Sequence, residues 1–383
     1  MRSFPFSRPG NLDPPPEYAR LRASAPVTRV AIHGREGTAW LLTGYQMIKD
    51  VLADRRFLLP SSSGVVDDPS LPQNPPRHTR LRRLAEKAFT PARAAALRPF
   101  LERTAGELID AMTDRPGPAD LMAALAMPLP IAAIAELFGV RPSEVDGLRA
   151  AADPLIGFAG RADEPASWLN LDAYISGLIE TRGREPGDDL ITALTRVHDG
   201  AGDRFTQAEL VSMGVTLVFL GYPKVAHTIA TGVIRLLSRG DLSGMANDTT
   251  RVRRAVEEIL RLQPGSSIEG LPRLSTQDMS LAGVDIPAGA SLIVSLEAAN
   301  RDPAVFPDPD RFDPSRGPDA ENLAFGYGVH RCLGEPLARL ELEVVFEQLA
   351  ARVPKLRLAT PAEQLPWRPV PGGEAPARVE VDW

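Results

Sequence analysis

The segment from Thr206 to Gly240 limits the fold more than any other. Thr206-Gln207-Ala208-Glu209 is a capping box, in which the two side chains satisfy backbone N–H groups that the first turn leaves open. The run that follows predicts a helix to Arg239, stopped by Gly240, ~50 Å long at the usual rise per residue. Further helical patterns cover roughly 120–138, 143–152, 167–182, 188–198 and 250–262, and Thr90-Pro91 starts another that reaches about Met112. Strand signals are fewer. Val27 to His33 and Ala39 to Leu42 read as a hairpin, Met279 to Leu296 as short strands, and Lys355 to Leu358 with Ala377 to Val381 as a small closing sheet. Leu59 to Pro76 and Asn300 to Pro318 are rich in loop residues, and no linker separates two independent cores. The expectation is a mainly α fold with a minor β region, organised as a single domain over residues 1–383.

Composition excludes more than it identifies. A net charge of −6 with a pI near 5.6 argues against a general nucleic-acid binder. The first ten residues hold no apolar run that would make a signal peptide or membrane anchor. A single cysteine in 383 residues suits a reducing, cytoplasmic setting.

That cysteine, Cys332, lies in Phe325-Gly326-Tyr327-Gly328-Val329-His330-Arg331-Cys332-Leu333-Gly334. With no second cysteine it is either an inert thiol or a single-thiolate ligand. Glycines here let the backbone approach a flat partner closely. A helix starting after Gly334 would bring positive potential to the sulfur and favour the thiolate. The stretch resembles the haem-binding signature of the cytochrome P450 family, F-G-x-G-x-H-x-C-x-G, at every specified position. The resemblance implies that family's fold, haem b (heme, iron protoporphyrin IX) as cofactor and Cys332 as the iron ligand, with Phe325, Gly326, His330 and Gly334 around it. A thiolate ligand pushes electron density toward O–O cleavage.

The resemblance continues along the chain. Glu258-Ile259-Leu260-Arg261 is similar to the family's E-x-x-R, whose members share one helix face. Pro309-Asp310-Arg311-Phe312 resembles the segment that supplies a second arginine, so Glu258, Arg261 and Arg311 are expected to form a structural triad. His78 and Arg82 match the family's H-x-x-x-R pair, and with Arg273 and His330 they are expected to hold the haem propionates. Arg80, Arg83 and Lys87 lie elsewhere on the same helix. They read either as a solvated basic face or, with Arg331, as docking charge for a ferredoxin, itself served by its reductase.

One segment departs from the family. The distal helix should carry A-G-x-[D/E]-T, but aligned on Gly221 it reads Leu220-Gly221-Tyr222-Pro223-Lys224-Val225. Pro223 stands where the acid belongs and Lys224 where the alcohol does. Acid and alcohol ordinarily relay protons to bound oxygen. Pro223 can neither titrate nor donate, and it removes a helix hydrogen bond at a cost of roughly 3 kcal/mol. Lys224 can reach solvent, pair with an anionic substrate group, supply protons, or ligate iron. His227, one turn on, is either packed or part of a relay.

The leading expectation is a haem-thiolate monooxygenase hydroxylating a mid-sized organic molecule, a biosynthetic intermediate, with O2 and ferredoxin electrons. Its substrate pocket is expected to include Phe219, Tyr222 and Ile268, with parts of the 59–76 and 154–163 loops. Two alternatives remain open: a peroxide-driven or redox-neutral haem-thiolate enzyme that uses Lys224, and a haem-bearing recruitment protein without oxygen activation.

Overall fold

A computed structural model describes residues 1–33, 37–60, 70–156, 165–198, 202–263, 271–316, 321–370 and 373–383. About 54% of the chain is helical, with small sheets, the class read from the sequence. Two compact units emerge, each assembled from separated stretches of chain.

The first unit comprises Met1–Gly64, Arg253–Cys332 and Gly372–Glu374. Its strands β1 (Arg2–Phe4), β2 (Val27–Ile32), β3 (Thr38–Leu42), β4 (Phe57–Leu58), β6 (Leu271–Ser275) and β9 (Ser291–Val294) form a sheet in the order β1-β2-β3-β9-β6-β4. The predicted hairpin is the antiparallel β2–β3 pair, joined from Val27 opposite Leu42 to Ala31 opposite Thr38. The predicted later strands are β9 and a separate hairpin of β7 (Met279–Leu281) and β8 (Val284–Ile286). Helix α1 (Pro16–Ser24) packs beside β2, and α2 (Tyr45–Ala53) beside α12 (Leu296–Ala299). The alternating faces of β3 and β9 seat Leu42, Leu292 and Val294 against Ile48 and Leu52 of α2, all nearly free of solvent contact. Most of α11 (Thr249–Arg261) also belongs here.

The second unit comprises Val65–Val252, Leu333–Pro371 and Ala375–Trp383. It holds α3 (Arg77–Ala88), α4 (Pro91–Ala96), α5 (Arg98–Thr113), α6 (Pro128–Phe138), α7 (Val145–Ala152), α8 (Pro165–Arg184), α9 (Leu190–Arg196), α10 (Gln207–Arg239) and α13 (Glu335–Arg352). The small sheet of β10 (Arg357–Leu358), β13 (Glu380–Asp382) and β5 (Ala119–Asp120) closes one part of it, and β11 spans Trp367–Val370. The single helix expected from Thr90 to Met112 is two helices meeting at Leu97, because Pro99 in the first turn of α5 cannot continue the preceding ladder.

Helix α10 is the spine of this unit, packed by α6, α8 and α13. Both its ends are as predicted. The Thr206 side chain accepts from Glu209 N at 3.2 Å while Glu209 accepts from Thr206 N at 2.9 Å, and Gly240 ends it with φ 71°. At Gly214 a Cβ would come within 2.6 Å of Ile175 Cγ2, so glycine sets how closely α8 approaches. The helix is long and apolar enough to cross a membrane, but 67% of its most apolar window is buried inside the protein, as in a core helix.

Candidate active site

The cysteine loop of the first unit is held by its own backbone. Cys332 N donates to Phe325 O at 2.9 Å, Arg331 N to Gly328 O at 3.1 Å, and Gly326 N to Leu323 O at 2.9 Å. Gly326 and Gly328 adopt φ of 71° and 73°, a region that penalises any side chain. At Gly328 a Cβ would also lie 2.5 Å from the Leu52 carbonyl oxygen, so the loop lies directly on the end of α2. Tyr327 covers the Lys49 ammonium at 4.6 Å, and Glu321 pairs with both Lys49 and Arg331. This arrangement leaves the Cys332 thiol exposed. Gly334, two residues later, is the N-cap of α13.

Beneath the loop that starts at Asn300 lies a buried charge cluster. Arg261 donates through Nε to Glu258 Oε2 and through Nη2 to Glu258 Oε1, both at 2.7 Å. Its Nη1 reaches the carbonyls of Asn300 at 2.8 Å and Pro309 at 2.7 Å. The expected third member is corrected. Arg311 is 60% exposed and lies 3.7 Å from Asp313, contributing only its carbonyl to Arg261. Arg316 is the second guanidinium, with Nε 3.4 Å from Glu258 Oε1 and its other nitrogens on the carbonyls of Pro307 and Asp308. Asp308, whose carbonyl Arg316 holds, has φ 46°, in the left-handed region.

Arg273, on β6, is 2% exposed. Its Nη1 donates to the neighbouring Pro272 carbonyl at 2.8 Å, and no carboxylate pairs with it among the described residues. Burial pushes its pKa down to about 10. Such a cation suits an anionic partner.

In the second unit His78 and Arg82 share one face of α3. His78 is 3% exposed, and burial, then the nearby Arg82, holds its pKa below the ordinary histidine value. Arg82 Nε donates to Glu86 at 2.6 Å. The basic face divides: Arg83 and Lys87 are exposed, whereas Arg80 pairs with Glu209 and Asp203, both at 2.8 Å, and so braces the start of α10.

Along α10, Leu217, Leu220, Gly221, Lys224 and His227 follow helical spacing on one face, none of them buried, and Leu220 is 49% exposed. Pro223 is accommodated without ending the helix, and Thr228 Oγ1 donates to the Lys224 carbonyl at 2.8 Å. A Cβ at Gly221 would meet only Ile134 Cδ1, at 3.4 Å, so no packed neighbour forces glycine there. Tyr222 is a second correction. Fully buried on the opposite face from Lys224, its hydroxyl donates to Asp153 Oδ1 at 2.9 Å, and burial followed by Asp153 raises its pKa. Two residues from Lys224 is about 200° around the helix, so the 3.6-residue turn points the ring away from that stripe. The Phe219 ring lies 4.8 Å from that of Trp168 of α8, tilted by 52°; Trp168 is 41% exposed, and no motif singled it out. Ile268 and residues 61–69 and 157–163 of the two loops lie outside the described residues.

Comparison with known proteins decides what these features belong to. The chain is 38% identical to nocardicin C N-oxygenase of Nocardia uniformis subsp. tsuyamanensis over 100% of its own length and 98% of the relative's. The chain belongs to the cytochrome P450 family. The model of that family, Cytochrome P450, matches residues 188–352. The monooxygenase PikC of Streptomyces venezuelae is 39% identical over 94% of this chain and 88% of its own. The solved mixed-function P450 MycG superposes with a TM-score of 0.91 at 36% identity, covering 100% of both chains. This P450 is a monooxygenase, an oxidoreductase whose cofactor is haem b held by a cysteine thiolate.

The residues present fit that group. The sole cysteine is exposed on a loop bare of side chains at two glycines, and Arg273 is a buried cation suited to a propionate.

Proposed function

We propose that the whole chain works as one haem-thiolate domain in which Cys332 ligates the iron. Phe325, Gly326, His330 and Gly334 shape the proximal loop, while Arg273, His78, Arg82 and His330 hold the propionates. The bound haem supplies oxygen binding and cleavage, using electrons delivered from a ferredoxin and its reductase. The protein acts in the cytoplasm on a mid-sized organic molecule, a biosynthetic intermediate, with hydroxylation as the reaction. The relatives' printed activities, N-oxygenation of nocardicin C and hydroxylation or epoxidation of mycinamicin IV, support that class. The observation that carries the reading is the exposed Cys332 thiol on its glycine loop.

The chain's own residues set the distal chemistry. Gly221, Pro223 and Lys224 occupy the place of the proton-relay segment. Pro223 has no proton to give, so Lys224 Nζ is the group on that turn able to hold or pass one. This favours a second reading, a peroxide-driven or redox-neutral reaction, because those routes need fewer delivered protons.

The optical spectrum of the ferric protein and of its reduced CO complex tests the thiolate. Cys332→Ser must abolish the thiolate bands; unchanged bands refute the assignment. Turnover of the same substrate panel with peroxide and with a ferredoxin system then separates the two readings.

A further inference from the structure

Two residues leave one turn of α10 weakly supported by its own backbone. Pro223 has no N–H to offer the Phe219 carbonyl, so one bond of the ladder is missing while the helix runs on. Gly221, two residues earlier, has the poorest helix propensity after proline, and no packed neighbour forces it there. Contacts from other elements hold this turn. The Phe219 ring lies 4.8 Å from that of Trp168 of α8, and the hydroxyl of the fully buried Tyr222 donates to Asp153 Oδ1 at 2.9 Å.

Asp153 stands where an acid is disfavoured. It is the C-cap of α7, at the negative end of that helix, and its own N–H donates to the Arg149 carbonyl. Two donors offset this: Tyr222 on Oδ1, and Arg149 Nε on Oδ2 at 3.2 Å. With one donor on each oxygen, the carboxylate is fixed in orientation. Burial, then Asp153, raises the Tyr222 pKa, so at neutral pH the phenol keeps its proton and remains a donor.

We propose that Tyr222, acting through Asp153, is a positioning residue for the reaction: it fixes the proline-weakened turn of α10 and thereby the placement of Gly221 and Lys224. A phenylalanine would fill the same space without needing an acceptor. What the tyrosine adds is one directed, charge-assisted bond between α7 and α10. That bond counts most where the helix lacks one of its own. The proposal rests on the reading that Gly221, Pro223 and Lys224 occupy the place of the proton-relay segment.

A double-mutant cycle tests it. The amides of Lys224 to His227 have their acceptors on the Leu220–Pro223 turn. In Tyr222→Phe their hydrogen exchange is expected to quicken about tenfold or more, in the full chain with or without haem. In the Pro223→Ala background, where the missing donor is restored, the same change should have less than about a third of that effect. Asp153→Ala should repeat Tyr222→Phe, whereas Asp153→Asn keeps an acceptor and should retain wild-type exchange. In the loaded protein the CO stretching band of the reduced complex senses the groups around the bound gas. It should move or split in Tyr222→Phe and Asp153→Ala but not in Asp153→Asn.

Exchange that is unchanged, or that quickens evenly along all of α10, overturns the proposal. So does an equal effect in the Pro223→Ala background, or a CO band that stays put while exchange changes. Should a variant of Tyr222 or Pro223 not fold, the contrast between Asp153→Ala and Asp153→Asn decides. A thiolate spectrum without the local exchange effect sinks only the positioning role. The expected exchange pattern in a protein lacking the thiolate spectrum sinks the haem reading.

Discussion

Arg261 grips Glu258 through two parallel hydrogen bonds of 2.7 Å, and neither side chain is more than 3% exposed. The pair is three residues apart on α11, but its importance lies in what Arg261 does with its remaining nitrogen. By reaching the Asn300 and Pro309 carbonyls it fastens the irregular chain that leads to the cysteine loop. A buried pair of this kind is costly to break from one side, since the other charge is then stranded.

Glu258→Ala is therefore expected to destabilise the protein by ~3–5 kcal/mol. Arg316→Ala, removing the second guanidinium, should cost ~1–3 kcal/mol, whereas Arg311→Ala should stay within about 0.5 kcal/mol as an exposed substitution does. Urea unfolding of the three variants checks this, and an Arg311 effect larger than that of Arg316 would contradict the assignment.

The two left-handed glycines of the loop should differ. Gly326→Ala meets nothing within 4 Å, so only the backbone term applies, roughly 1–2 kcal/mol. Gly328→Ala adds a clash with the Leu52 carbonyl oxygen at 2.5 Å and should lose far more haem. Haem content after purification, from the Soret absorbance, reports the difference.

Arg273→Met is expected to leave haem-free stability unchanged or higher, because it removes a buried cation without a carboxylate partner. In the loaded protein it should speed haem transfer to a scavenging protein about tenfold or more, the value of a charge-assisted hydrogen bond of ~1.5–3 kcal/mol. If transfer is no faster, Arg273 does not hold a propionate.

Glu341 on α13 is 2% exposed, and its Oε2 has no hydrogen-bond partner among the described residues. Burial raises its pKa well above the ordinary value, so the folded protein keeps a proton that the unfolded chain releases above about pH 4.5. Stability from this group is thus intact below that pH and lost as pH rises toward the folded pKa. Glu341→Gln should stabilise the protein at pH 8 and do so less at pH 5, measured by thermal unfolding.

His227 works in the opposite direction. Its folded pKa of about 3 lies below the ordinary 6.5, so the unfolded chain binds a proton that the folded one refuses. Stability should fall as pH drops from about 6.5 toward 3, and His227→Gln should flatten that slope in urea unfolding. An unchanged slope would mean the folded protein does not hold the ring neutral.

Whatever depends on near neighbours along the chain was legible from residue order alone. The capping box at Thr206 and the left-handed stop at Gly240 fix α10 because helix ends are closed by groups three or four residues away. The glycine-and-cysteine spacing fixed the loop for the same reason, and the E-x-x-R pair is a single-turn contact. Tertiary structure decided the rest. Arg311 and Arg316 stand in one loop, and it is Arg316 that meets Glu258, more than fifty residues away in the chain. Tyr222 turned from the expected pocket toward Asp153, a pairing that no local period encodes. Such closures depend on how distant segments pack, and side-chain spacing along one helix says which way a residue points but not what waits there.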